Sequence, residues 1–328
     1  MKHASYSAKK IAAQKSDMDL MKLITKYDSD EKCRIALEKL RWPDGVRCIR
    51  CGSEKISRNY KRNQFECTPC GYHFSVTAGT IFHDSHLPLR KWFIATYLIC
   101  ESKKGISALQ LKRVLGVAYK TAWYLCHRIR EAVKDADTEM LGLSSGFVEA
   151  DEAFIGGSTK WMHEKDKIRR GLTYGGRRGK AVVFGAIERN GKVRLQHGGE
   201  NTFTKEDVRA FLKAKIADEC KVIATDGHGV YRGIGDDNTL HVTVDHVAGE
   251  YVRGLAHTNT LESVWSLFKR SIVGSYHQIS MKHIDRYLDE FEFRFNNRHN
   301  PYLFRDTLLR LLASSNLEYK KLTENKAA

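Results

Sequence analysis

Phe147-Val148-Glu149-Ala150-Asp151-Glu152-Ala153-Phe154-Ile155 sets acidic residues inside an apolar, strand-forming run. Its two-residue period reads as a β-strand whose side chains turn alternately to opposite faces. Glu149 and Asp151 then share a face. Downstream, Ala181–Glu188 and Val193–His197 flank Asn190-Gly191 as a hairpin, and Thr204–Ile216 reads as a helix capped by Thr204. Val222–Thr225 and Leu240–Val244 read as short buried strands, followed by helices at about Leu261–Ile272 and Met281–Asn296.

Three strands with a hairpin, then helix, strand, strand and helix, describe a mixed α/β sheet of the RNase H type, flanked by helices. This type of fold brings the ends of two separate strands together. Asp151 lies on one, and Asp226, in Val222-Ile-Ala-Thr-Asp-Gly-His-Gly, ends the other. An aspartate that closes an apolar strand before a glycine turn packs poorly and suits a metal. Glu149 competes with Asp151 for the same role. A third carboxylate comes from a helix in which Leu261, Val264, Trp265 and Phe268 form the buried stripe. Glu262 and Lys269 lie two turns apart along one edge of it, placed either to hold a metal and a neighbouring phosphate or to form a surface charge pair. Carboxylates drawn from separate segments suit Mg²⁺ or Mn²⁺, hard ions that complete their shell with water and phosphate oxygen. Two such ions about 4 Å apart support in-line phosphoryl transfer. His228, His241, His246 and His257 recur late in the chain, but no zinc-ligand helix motif accompanies them.

Upstream, Cys48, Cys51, Cys67 and Cys70 form two C-x2-C pairs separated by fifteen residues, each pair followed by glycine. That spacing predicts a closed tetrahedral Zn²⁺ site of structural type, with Lys55–Tyr60 and Gln64–Cys67 as the strands of a zinc ribbon. Disulfides are the alternative, disfavoured because no signal peptide precedes them. Cys33, Cys100, Cys126 and Cys220 read as small core residues. Helices are expected over Asp19–Leu40 and Leu89–Ser102. A helix-turn-helix follows, with Ser107 as N-cap, Leu109, Val114 and Leu115 as apolar positions, Gly116 at the turn and a second helix over Tyr119–Val133. The apolar positions Ala122, Leu125, Ile129 and Ala132 leave Tyr119, Lys120, Arg128 and Arg130 facing outward. Tyr119 and Lys120 then suit base contact and Arg128 phosphate contact. An ordinary helical hairpin fits the same pattern.

The chain has 328 residues and a net charge of +16, and a polyanion such as double-stranded DNA is the natural partner. The longest apolar run, Trp92–Cys100, is far short of the roughly 20 residues that span a bilayer, so no membrane association and a cytoplasmic, nucleoid-associated location are expected. Ser158–Lys180 holds eight basic residues against two acidic ones and reads as a flexible basic loop or a solvated insertion. The expected division is an N-terminal tail and helical segment over 1–41, the ribbon over 42–77, the helix-turn-helix region over 78–140, the catalytic domain over 141–312 and a C-terminal tail over 313–328. Disorder is expected over 1–16 and 318–328.

Several motifs together resemble the DDE transposases of bacterial insertion sequences that carry an N-terminal zinc ribbon. They are Arg41-Trp-Pro-Asp-Gly-Val-Arg-Cys, Thr77-Ala-Gly-Thr-Ile-Phe, Lys104-Gly-Ile-Ser-Ala-Leu-Gln-Leu, Glu149-Ala-Asp-Glu-Ala-Phe-Ile-Gly-Gly, Thr225-Asp-Gly-His and His257-Thr-Asn-Thr-Leu-Glu-Ser, and they cover about residues 20–310. The resemblance implies Asp151, Asp226 and Glu262 as the catalytic, magnesium-binding triad and Lys269 as the basic residue two turns after the third acid. Asn259 stands where some related enzymes use asparagine in place of that acid, and both it and Lys269 are expected to contact DNA. Ala118 departs from the serine expected before the second helix of the pair, at a cost of about 1 kcal/mol. The implied activity is recognition of the element's terminal repeats, hydrolytic 3′-end cleavage and strand transfer, by a homodimer or larger assembly on DNA. A zinc-ribbon regulator with an inactive RNase H-like domain and a structure-selective nuclease are the other readings.

Overall fold

The computed structural model describes residues 18–134, 139–156, 163–169, 179–200, 202–244 and 257–324. The chain divides into two compact units, one of residues 1–101, 108–133 and 297–328, the other of residues 102–107 and 134–296. The expected disorder at 1–16 and most of the basic loop over Ser158–Lys180 lie outside the described residues.

In the first unit the N-terminal helical segment is two helices, α1 (Leu20–Lys26) and α2 (Asp30–Arg41). Two caps explain the break: Asp19 accepts the Lys22 N–H at 2.8 Å, and Ser29 accepts that of Lys32 at 3.3 Å, so a second helix starts within reach of the first one's end. Strands β1 (Ile56–Asn59), β2 (Gln64–Cys67) and β3 (His73–Phe74) form an antiparallel sheet. Trp42 packs edge-on against Phe65 and Phe74 as its small core. Helices α3 (Leu89–Glu101), α4 (Ala108–Leu115) and α5 (Tyr119–Val133) follow, with Gly116 at φ +59° making the turn between the last two.

Two expectations about this helix pair fail. On α4, Leu111 and Leu115 are buried, while Leu109 and Val114 are exposed. On α5, Arg128 and Arg130 do not face outward but are 3% and 2% exposed. The C-terminal half of α5 is enclosed by α3 and by the helix Leu303–Ala313, which the sequence pattern of α5 alone does not reveal. The Arg128 guanidinium donates to the His83 carbonyl at 2.6 Å and to Asn316 Oδ1 at 2.8 Å, and it lies over the rings of Trp92 and Tyr124. It is an interior strut, too deeply buried to meet a phosphate. Part of the expected C-terminal tail is also ordered: Tyr319–Thr323 is helical and buries Leu322.

The second unit is built on β4 (Phe147–Ile155), followed by α6 (Glu164–Arg169), β5 (Ala181–Glu188), β6 (Val193–Glu200), α7 (Lys205–Lys215), β7 (Val222–Asp226), β8 (Leu240–Val244), α8 (Asn259–Ser271) and α9 (Ile284–Asn296). The five strands run in the order β6-β5-β4-β7-β8. The pairs β6/β5 and β5/β4 are antiparallel, and β4/β7 and β7/β8 are parallel, as in an RNase H-like domain. Both faces are covered. Val182, Phe184 and Ala186 of β5 meet Val208, Phe211 and Leu212 of α7, while Ala181, Val183 and Ile187 meet α8 and α9. Every residue of β5 is buried, which explains its unbroken apolar run. The period of two puts Val148 and Ala150 of β4 toward α7, and Glu149, Asp151, Ala153 and Ile155 toward α8.

Candidate metal-binding active site

Strands β4 and β7 run parallel with Glu149 opposite Ala224 as their last pair, so two residues further on Asp226, at the end of β7, stands beside Asp151, where β4 continues to Ile155 against β5. Open α/β sheets bind ligands outside the carboxyl ends of parallel strands, here where the β4–β7 pairing stops. Carboxylate oxygens of Asp151, Asp226 and Glu152 lie within 4.8 Å of one another. Glu152 was not foreseen. Being next to Asp151, it turns to the opposite sheet face, where the Tyr231 hydroxyl donates to its Oε2 at 2.7 Å. The strand period argues against its joining Asp151, and it does so just beyond the last β4–β7 pair, Glu149 with Ala224. The backbone N–H of His228 donates to Asp226 Oδ1 at 3.0 Å, fixing that carboxylate within the Asp226-Gly-His turn.

Helix α8 supplies the other wall. Leu261, Val264, Trp265 and Phe268 are buried as the stripe requires, and Glu262 and Lys269 lie on the exposed edge. Asp151, Glu152, Glu262, Trp265 and Lys269 line one cleft of about 570 Å³, together with Ser266, Arg270 and Val273. Asp151 and Glu152 therefore belong both to the compact group of three and to the cleft that holds Glu262, whereas Asp226 belongs to the group alone. The Trp265 indole N–H donates to Asp151 Oδ2 at 3.0 Å. Gly185, paired with Asp151 across β4 and β5, makes room for that ring: a Cβ there would lie 2.5 Å from Trp265 Cζ2. Asn259 opens α8 and is exposed.

Burial pushes the Asp151 carboxyl up to about 7, with the charges of Glu152 and Asp226 adding to the rise. Hard oxygen donors this close repel one another, and a divalent cation between them would relieve that repulsion, so the donor set fits Mg²⁺ or Mn²⁺. Glu149, the competing acid, points elsewhere. It is fully buried, and its oxygens accept from Thr260 and Leu261 at the start of α8. The histidines do not form a ligand set among the described residues: His257 flanks Glu149 and His241 contacts the Thr225 hydroxyl, while His246 lies outside the described residues.

In the ribbon all four cysteines bring sulfur atoms within 4.8 Å of one another, with Cys48–Cys70 at 3.7 Å and Cys51–Cys67 at 3.5 Å. A tetrahedron with Zn–S bonds of about 2.3 Å has edges of about 3.8 Å, so these thiols suit zinc and are not disulfides. Gly52 and Gly71, at φ +75° and +63°, close the knuckles through N–H bonds to the carbonyls of Cys48 and Cys67. At the start of α5, Tyr119 and Lys120 are exposed, the lysine ammonium 4.4 Å from the centre of the Tyr319 ring.

Residues 143–296 match the ISXO2-like transposase domain, and residues 28–73 match the transposase zinc-ribbon domain. A protein of Halobacterium salinarum described as "Uncharacterized protein in transposable element ISH50" is 30% identical over 280 residues, 83% of this chain and 92% of that protein. With an RNase H-like sheet, a four-cysteine ribbon and a homologue carried by a transposable element, the chain belongs to the ISXO2-like (IS1595) family of insertion-sequence transposases with an N-terminal zinc ribbon.

Proposed function

We propose that this transposase binds the ends of its insertion sequence and catalyses metal-dependent 3′-end cleavage followed by strand transfer into target DNA. The observation that carries the reading is the meeting of Asp151, Glu152 and Asp226 beside a cleft that also holds Glu262 and Lys269. Asp151 and Asp226 would hold the metal, with Glu152 beside them and Glu262 in the same cleft on α8 as the third acid. Held there, Mg²⁺ or Mn²⁺ would supply Lewis-acid chemistry for phosphoryl transfer. Lys269, exposed on the cleft wall, pairs with a phosphate of the bound strand, and Asn259 contacts DNA at the opening of α8. The Trp265 indole N–H, donating to Oδ2, holds the Asp151 carboxylate in one orientation.

Tyr119 and Lys120 at the start of α5 contact bases, and the zinc ribbon adds a second DNA-binding surface. Joining two ends requires at least two copies, so the working form on DNA is a dimer or larger assembly. The test is incubation of purified protein with Mg²⁺ and labelled duplex carrying the sequence that flanks its gene. Nicked and joined products are expected, with Asp151→Ala and Asp226→Ala losing both by at least 100-fold while still binding DNA. Binding without cleavage would make the chain a regulator. Cleavage without joining would make it a nuclease.

A further inference from the structure

Glu149 presents an unusual cap. The first N–H groups of a helix have no partner within it and carry partial positive charge, so they are normally satisfied by a Ser, Thr, Asp or Asn at the helix's own start. In α8 the side chain of Thr258, at the N-cap, does not take that role. The acceptor comes instead from β4, 111 residues earlier: Glu149 Oε2 takes the Thr260 N–H at 3.0 Å and the Leu261 N–H at 3.1 Å, and Oε1 takes the Thr260 hydroxyl at 2.8 Å. Arg189 at 3.4 Å and His257 at 3.3 Å flank the same carboxylate, which is 0% exposed. A buried carboxylate is tolerated only with this many donors.

The apolar stripe of α8 holds the helix against the sheet, with Trp265 seated at Gly185, but such contact is non-directional and leaves the start of the helix some freedom along its axis. A slip of one residue moves every side chain by about 1.5 Å and turns it by about 100°. The Glu149 carboxylate removes that freedom, because it bonds two successive backbone N–H groups. Glu262 is the next residue. Two positions along β4, on the same face, Asp151 bonds Trp265. One strand thus carries the metal-binding aspartate and both bonds that index the helix bearing the third acid.

We propose that Glu149 is a positioning residue that sets the register of α8 along β4, so that Glu262 and Lys269 face Asp151 across the cleft. The proposal rests on the reading of Asp151, Asp226 and Glu262 as the metal-holding acids. It is tested on the full-length protein with Glu149→Gln, nearly the same shape without the charge, and with the milder Thr260→Val in case the first does not fold. Mn²⁺ affinity is measured by calorimetry, and protection of the α8 amides by hydrogen exchange. Glu149→Gln is expected to weaken Mn²⁺ binding by roughly 10-fold or more and to speed exchange in the first turn of α8. Thr260→Val should shift both in the same direction by less. In a Glu262→Gln background, Glu149→Gln should cause no further loss of Mn²⁺ affinity, because there is no third acid left to place. A purely structural role predicts the same loss in both backgrounds and would overturn the proposal, as would unchanged affinity and protection. A wild-type protein that binds no Mn²⁺ refutes the reading of the site and this proposal with it. Wild-type binding that needs Asp151 and Glu262 but ignores Glu149→Gln and Thr260→Val refutes the proposal alone.

Discussion

Burial and the neighbouring charges of Glu152 and Asp226 push the Asp151 carboxyl up to about 7 from its ordinary 3.8, while the Trp265 indole pulls the other way. A carboxyl whose pKa is higher in the folded than in the unfolded chain binds its proton more tightly when folded. Its contribution to stability is therefore complete below pH 3.8 and is lost as pH rises through about 7. Asp151→Asn removes that loss. In EDTA, the variant's melting temperature should overtake the wild type's between pH 4 and 7 and stay roughly 5 °C above it at pH 8. Adding Mg²⁺ at pH 8 should then raise the wild type and leave the variant nearly unmoved. A difference that does not change with pH would mean that Asp151 is not held in a repelling cluster. Glu152 belongs to the same scale: it joins the group where β4 has run past its pairing with β7, and no pattern of alternation announces it.

Between elements, Gly185 decides how closely α8 approaches the sheet. Gly185→Ala would drive a methyl group into the Trp265 ring, and because the obstacle on the far side is a packed helix, the ring must shift and release Asp151. An overpacked core of this kind costs about 1–3 kcal/mol, so reduced thermal stability and at least a 10-fold loss of cleavage are expected, measured by melting and nicking assays. Retained activity would show that the Trp265–Asp151 bond does not matter. The strands were legible because alternation and the flanking Asn190-Gly191 turn speak for themselves: β4, β5 and β8 fall where the sequence pattern predicts. So were Asp226, which ends the apolar strand β7, and Asp151, an acid inside the apolar run of β4. What stayed hidden depends on partners distant in sequence. Arg128 is polar and was read as exposed, yet neighbouring carbonyl, amide and aromatic groups accommodate its guanidinium in the interior. Glu149 was legible as an acid on the right face, but not as the cap of a helix that begins more than a hundred residues later.

For the whole molecule, the net charge of +16 and the ribbon's four thiols carry separate consequences. If lysines and arginines dock on phosphates, DNA affinity must fall steeply with salt, about 10³-fold or more between 50 and 200 mM for some six contacts, as gel-shift titration would show. A flat response would mean that the basic surface is not the docking face. Metal analysis should find one zinc per chain, and changing Cys48 and Cys51 to Ser should remove it and weaken DNA binding while the melting of the second unit is preserved. Unchanged zinc content would contradict the ribbon assignment. Among the described residues no helix is long and apolar enough to cross a membrane. The most direct test of the account is anomalous diffraction from crystals soaked in Mn²⁺. The account predicts a peak about 2.1 Å from oxygens of both Asp151 and Asp226, and Mn²⁺ bound elsewhere, with these two carboxylates left unligated, would contradict it.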